Sequence, residues 1–223
     1  MGKVPKDYDV ATDAIPEEVK TVFPRARLIG RRFRLAHVRL GGTLIEVATF
    51  RGPQLNDDDD HTHENGRILR DNVWGSLEED AIRRDFTMNA LFMDPISGEI
   101  QDFVHGYKDL SDRKLRLIGD AETRYREDPV RLLRAARFVA KLGVELGDET
   151  AKYINELAPL LKDIPPARLF EEVCKLFMTG HAFRTMETLQ RFQLTRALFP
   201  VLKRKGEKGQ AKTGVLMQKA LKI

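Results

Sequence analysis

The stretch Asp7-Tyr8-Asp9-Val10-Ala11-Thr12, close to the start of the chain, decides how the rest is read. In an extended strand, side chains two residues apart share a face, so Asp7 and Asp9 point one way while Tyr8 and Val10 point to a core. Two ionised carboxylates side by side repel. A cation between them removes the repulsion, and hard oxygen donors beside a phosphate suit Mg²⁺, as one ion or as two about 3.5–4 Å apart. Solvated turns also carry Asp-x-Asp, so the pair alone leaves both readings open.

Working outward, Pro16–Phe23 reads as a short helix with proline at its first position, acids in its first turn and Pro24 behind it. Two alternating runs, 33–40 and 43–50, flank Gly41-Gly42 and predict a β-hairpin. Glu46 is a charge among Leu44, Ile45, Val47 and Ala48. Either strand parity turns it to solvent, or it joins Asp7 and Asp9 as a third carboxylate, because a buried charge needs a partner or a metal. His37, on the neighbouring strand, reads as a structural histidine. Residues 56–66 are acidic, polar and aperiodic, the composition of a loop, and His61 and His63 within it are either solvated or a metal pair.

Ser76-Leu77-Glu78-Glu79 is a capping box, and the spacing after it predicts a helix running to Phe92 with Leu77, Ile82, Phe86, Ala90 and Met93 on its apolar face. Pairs four apart, Glu79 with Arg83 and Asp80 with Arg84, are expected as ion pairs. Asp85 and Asn89 share another face, where an aspartate abutted by arginines forms a unit able to hold a triphosphate. A short strand follows at Glu99–Phe103, and near residue 112 the composition turns helical. Asp128-Pro129 opens a helix over Val130–Leu142 that Gly143 closes. Arg131, Arg134 and Arg137 step by three along it, forming either a solvated stripe or an anion clamp. Helices near 148–162, 166–179 and 181–192 complete a bundle, with Cys174 as a small core residue beside Phe170 and Phe177.

The 223 residues and 42% hydrophobic content suffice for one large or two small cores. No apolar run approaches the roughly 18 residues of a membrane span, and one cysteine excludes an internal disulfide, so a soluble, cytoplasmic protein with no membrane partner is expected. The net charge of +4 conceals an asymmetry. Residues 201–223 carry seven Lys/Arg and one Glu, net +6, which leaves −2 for residues 1–202. Such a tail suits an anionic polymer.

Five ordered segments, Pro5–Thr12, Gly30–Arg34, Glu46–Arg51, Arg83–Ala90 and Tyr125–Arg131, together resemble the bacterial poly(A) polymerase and tRNA CCA-adding nucleotidyltransferases of the polymerase-beta-like superfamily. Asp71–Asp80 and Asp163–Glu172 resemble the poly(A) polymerase branch. The resemblance implies an α+β chain: a partial polymerase-beta-like nucleotidyltransferase head over 1–112, an all-helical neck and RNA-binding domain over 113–200, and a basic tail over 201–223. It implies that Asp7 and Asp9 hold two Mg²⁺ ions, with Glu46 and Asp85 the acids that complete the site. Asp85 would also meet the ribose and Arg84 a phosphate, with Asn89 among the nucleotide-binding residues. Asp128 and Arg131 would hydrogen-bond the incoming base, and Arg134 and Arg137 would face the triphosphate. ATP is then the substrate and RNA 3′ ends the partner, with no particular oligomeric state implied. Family members carry a Gly-Gly-x-x-Arg-Asp loop before the Asp strand, where only Met1–Lys6 stand here, so impaired transfer is expected. CCA addition, or a catalytically inactive RNA- or nucleotide-binding remnant, are the alternatives.

Overall fold

A computed structural model describes residues 8–30, 34–52, 62–63, 67–68 and 73–199. Asp7, the Asp57–Asp60 run, His61, the His63 side chain and the basic tail lie outside the described residues. The chain divides into two units, Met1–Arg83 and Arg84–Ile223.

In the first unit, β1 (Asp9–Thr12), α1 (Pro16–Val22), β2 (Arg27–Ile29), β3 (Leu35–Leu40) and β4 (Thr43–Thr49) build a four-stranded sheet of order β1-β4-β3-β2. The β3–β4 hairpin turns at Gly41, whose φ of 60° is a left-handed conformation that costs glycine nothing. β1 returns parallel to β4, as a crossover through α1 requires. One sheet face packs on α1: Val19, Ala26, Ala36 and Val38 are buried, with Leu28 and Val47 against them. Val10 lies in register with Val47 on that face, yet it stays 42% exposed and Tyr8 59%. The expected burial of these two fails because β1 is the last strand on its side among the described residues and the small α1 core does not reach it.

The strands β5 (Thr62–His63) and β6 (Arg67–Ile68) form a minimal antiparallel pair. The helix α2 (Leu77–Arg83) opens on the capping box: Ser76 N donates to Glu79 Oε2 at 2.7 Å and Glu79 N to Ser76 Oγ at 3.2 Å. Asp80 pairs with Arg83 at 4.0 Å, three residues on.

The predicted continuation of this helix to Phe92 is corrected in the second unit. The chain bends at Arg84-Asp85, makes a single 3₁₀ turn at Thr87–Asn89 and enters the strand β7 (Leu91–Met93), paired with β8 (Ile100–Asp102). Phe86 is fully buried and bridges to Leu117, so tertiary pairing overrides a locally helical pattern. Ile82 and Met93, assigned to the same apolar face as Phe86, are exposed.

Next come α3 (Gly106–Ser111), β9 (Lys114–Leu115), α4 (Ala121–Glu127) and α5 (Val130–Leu142). α5 ends where its sequence says, at Gly143 with φ 64°. β10 (Glu145–Leu146), α6 (Asp148–Lys152), α7 (Ile154–Leu157), a 3₁₀ turn at Ala158–Asp163, α8 (Pro166–Phe177), α9 (Ala182–Arg191) and α10 (Thr195–Leu198) follow. Their core gathers Phe86, Tyr125, Leu132, Leu133, Ile154, Leu176 and Leu189. Cys174 is half-buried, but Phe170 is 67% exposed rather than packed beside it. Gly106 abuts the Arg84–Asn89 segment so closely that a Cβ there would stand 2.2 Å from the Thr87 carbonyl oxygen.

Candidate active site

In the first unit the sheet register carries one row of polar side chains across all four strands. Asp9 lies opposite Glu46, Glu46 opposite His37, and His37 opposite Arg27. Opposed residues project to the same face, and Ala36, Val38 and Val47 take the core face, so this row occupies the other. Glu46 is therefore not buried, its side chain being 48% exposed, and it faces Asp9 across the parallel pair. His37 Nε2 lies 3.3 Å from Glu46 Oε1. Two carboxylates meeting on an open face form a set of hard oxygens that suits Mg²⁺. Among the described residues no group of three or more His, Cys, Asp or Glu gathers that could hold a metal ion.

In the second unit the Arg84–Asn89 bend becomes the hub of an arginine–carboxylate network. Asp85 Oδ1 accepts from Phe86 N at 2.8 Å and Asn89 Nδ2 at 3.0 Å, while Oδ2 accepts from Arg134 Nε at 2.5 Å. The predicted Asp85–Asn89 proximity is thus reached without a helix. Arg84 donates to the Asn89 carbonyl at 2.9 Å, and its guanidinium stacks over Phe92 at 4.5 Å. Arg124 reaches the Arg84 carbonyl at 2.5 Å and Glu127 at 2.8 Å. Arg131 donates to the same Glu127 oxygen at 3.0 Å and to the Arg124 carbonyl at 2.5 Å. Asp128 accepts from Arg168 at 2.7 Å and caps Val130 N at 3.2 Å. Arg137 stands 3.9 Å from the buried Glu172, which also holds Lys175 at 2.8 Å.

The α5 arginines are therefore not a solvated stripe. Arg131, Arg134 and Arg137 are each mostly shielded: Arg131 and Arg134 are held by Glu127 and Asp85, and Arg137 lies 3.9 Å from Glu172 without a hydrogen bond to it. Four guanidiniums, those of Arg124, Arg131, Arg134 and Arg137, are distributed over the carboxylates of Glu127, Asp85 and Glu172, while Arg84 is held on the Asn89 carbonyl and the Phe92 ring. Burial pushes the Arg124 and Arg137 guanidiniums below their ordinary range, with the neighbouring Arg131 and Arg134 adding to it. Sequence reasoning missed Arg124, Glu127, Arg168 and Glu172. The 124/127/131 spacing of three and four was a readable local signal. Arg168 meets Asp128 across 40 residues, and no local pattern announces such a pair.

Burial acts to raise the Asp85 carboxyl, but the charge and hydrogen bond of Arg134, with Asn89 and the Phe86 N–H, hold it below the ordinary 3.8. A depressed carboxyl contributes stability above its unfolded pKa and loses it as pH falls through the folded value. The expected result is that the stability gap between wild type and Asp85→Asn, read from urea midpoints, narrows between pH 6 and pH 3. A gap independent of pH would remove Asp85 as its source.

Residues 1–116 match the family model described as the poly(A) polymerase head domain, and residues 143–205 match one described as a probable RNA- and SrmB-binding site of polymerase A. The chain is 54% identical over 208 residues to poly(A) polymerase I of Escherichia coli O6:H1, covering 92% of this chain and 45% of that protein. It is 39% identical over 208 residues to the CCA-adding enzyme of Geobacillus thermodenitrificans, covering 93% and 49% respectively. The crystal structure of the Bacillus stearothermophilus CCA-adding enzyme in complex with CTP superposes with a TM-score of 0.76 at 35% identity, over 97% of this chain and 49% of that one. The chain spans about half the length of the relatives it matches.

Proposed function

The chain belongs to the poly(A) polymerase family, and from that premise we propose that it is a template-independent RNA nucleotidyltransferase adding AMP from ATP to RNA 3′ ends, with release of pyrophosphate. The observation that carries the reading is the pairing of Asp9 with Glu46 on the open face of the sheet. Asp9 and Glu46, with Asp7 two residues upstream, would hold two Mg²⁺ ions. Held there, the metal would supply electrostatic stabilisation for attack of the RNA 3′-hydroxyl on the α-phosphorus and for the departing pyrophosphate.

The remaining roles fall to the second unit. Arg84, Arg134 and Arg137 bind the triphosphate, and Asn89 meets the ribose. Both Asp85 oxygens already accept hydrogen bonds, which favours a role in orienting Arg134 and Asn89 over one as a metal ligand. Arg168 holds Asp128 and Glu127 holds one Arg131 amino group, so both base-reading side chains are pre-oriented by protein rather than by a template strand. Family membership is the ground for placing the reaction in the cytoplasm with RNA as the partner. No helix among the described residues is long and apolar enough to cross a membrane.

Single-turnover transfer from ATP onto an unstructured RNA, with Mg²⁺ varied, tests the reaction. The similarity to CCA-adding enzymes supports a second reading, for which CTP transfer onto a tRNA lacking its 3′ end is the discriminating arm. Base choice gives a further expected result. Asp128→Ala and Arg131→Ala should each cut ATP-over-GTP discrimination by more than they cut total triphosphate affinity, by about 1–3 kcal/mol for a lost paired hydrogen bond. Unchanged selectivity in both variants would return these residues to a purely structural role.

A further inference from the structure

We propose that His37 is a positioning residue that aims the Glu46 carboxylate at the metal site. The proposal rests on the reading of Asp9 and Glu46 as metal-facing acids. β3 is an inner strand, paired on one side to β2 and on the other to β4, and Ala36 and Val38 anchor it in the core on either side of His37. The imidazole therefore leaves the sheet from a backbone position that cannot drift. Its side chain is only 19% exposed, against 48% for Glu46, so the better-fixed partner is the histidine.

The geometry divides the labour between the two carboxylate oxygens. His37 Nε2 approaches Oε1 at 3.3 Å, so Oε2 is the oxygen the histidine does not contact, on the residue that lies in register with Asp9. A glutamate on an open face otherwise samples several rotamers, and each must be given up when a metal binds. An imidazole nitrogen standing 3.3 Å from Oε1 restricts that freedom beforehand, and such outer partners of metal-binding carboxylates change metal affinity by about 10–100-fold. On the far side of His37 the row continues to Arg27, which offers no acceptor to compete with Glu46 for the imidazole N–H. Asp9, Glu46 and Arg27 are the charged groups that complete this row.

Direct Mn²⁺ binding to the full chain, followed by electron paramagnetic resonance of the free ion, tests this independently of turnover. His37→Phe keeps ring volume and removes the donor, whereas His37→Gln keeps an N–H. We expect about tenfold weaker Mn²⁺ binding in His37→Phe, recovery to within about threefold in His37→Gln, and thermal unfolding unchanged in both. Wild-type affinity in His37→Phe, with binding lost in Asp9→Asn, would overturn the positioning role and leave the metal site standing. Wild-type affinity in Asp9→Asn would overturn the metal reading and this proposal with it. Should His37→Phe fail to fold, His37→Leu against His37→Gln separates the same outcomes.

Discussion

Asp9→Asn is expected to leave the melting temperature within about 2 °C of wild type while lowering metal-dependent AMP transfer at least about a thousandfold. Asp9 is exposed at the first position of β1, and the core of its unit lies on the opposite sheet face, so an isosteric amide disturbs no packing. The lost quantity is the charge on one of two facing carboxylates. Metal-assisted charge stabilisation contributes several kcal/mol to such a reaction, and about 4 kcal/mol corresponds to a thousandfold in rate. Single-turnover transfer at saturating ATP, measured beside thermal unfolding, reads both halves. Activity within tenfold of wild type would remove Asp9 from the metal site.

Asp85→Ala should have its main effect on stability. Arg134 would keep its place on α5 with its carboxylate partner gone, and Asn89 and the Phe86 N–H would lose an acceptor at the same stroke. Breaking a buried pair typically costs about 3–5 kcal/mol, and the partial exposure of Arg134 reduces that to about 2–3 kcal/mol. In a chain of this size the loss lowers the melting temperature by about 5–10 °C. Adding Arg134→Met should recover part of it, because the stranded charge leaves too. Strict additivity of the two substitutions would show that the 2.5 Å contact carries no coupling.

Local chemistry was legible wherever it acted alone. The Gly41-Gly42 hairpin, the Ser76/Glu79 capping box and both ends of α5 follow from rules spanning a few residues, and the structure carries all three. The overrun past Arg83 shows where that logic stops. Phe86 and Ala90 stand four apart and are both fully buried, as a helix would have them, yet Phe86 bridges Leu117 and the next residues pair with β8. β2 was missed because three residues are too few for a period to register. Within the candidate site, the residue types were readable but their partners were not. Asp85 meets Arg134 across 49 residues and Asp128 meets Arg168 across 40, so contacts that orient the arginines are products of tertiary structure.

The close approach of Gly106 to Thr87 has a consequence for how this protein can vary. Thr87 is pinned from three sides: its hydroxyl donates to Asp109, its N–H to the Arg116 carbonyl, and its own carbonyl lies where any side chain at 106 would have to stand. The dimension that places Asp85 and Arg84 is thus gauged by the absence of a methyl group at position 106. A side chain at 106 meets the Thr87 backbone rather than the end of a flexible side chain, so Gly106→Ala must displace the segment that carries Arg84 and Asp85, at a cost no change of charge elsewhere offsets.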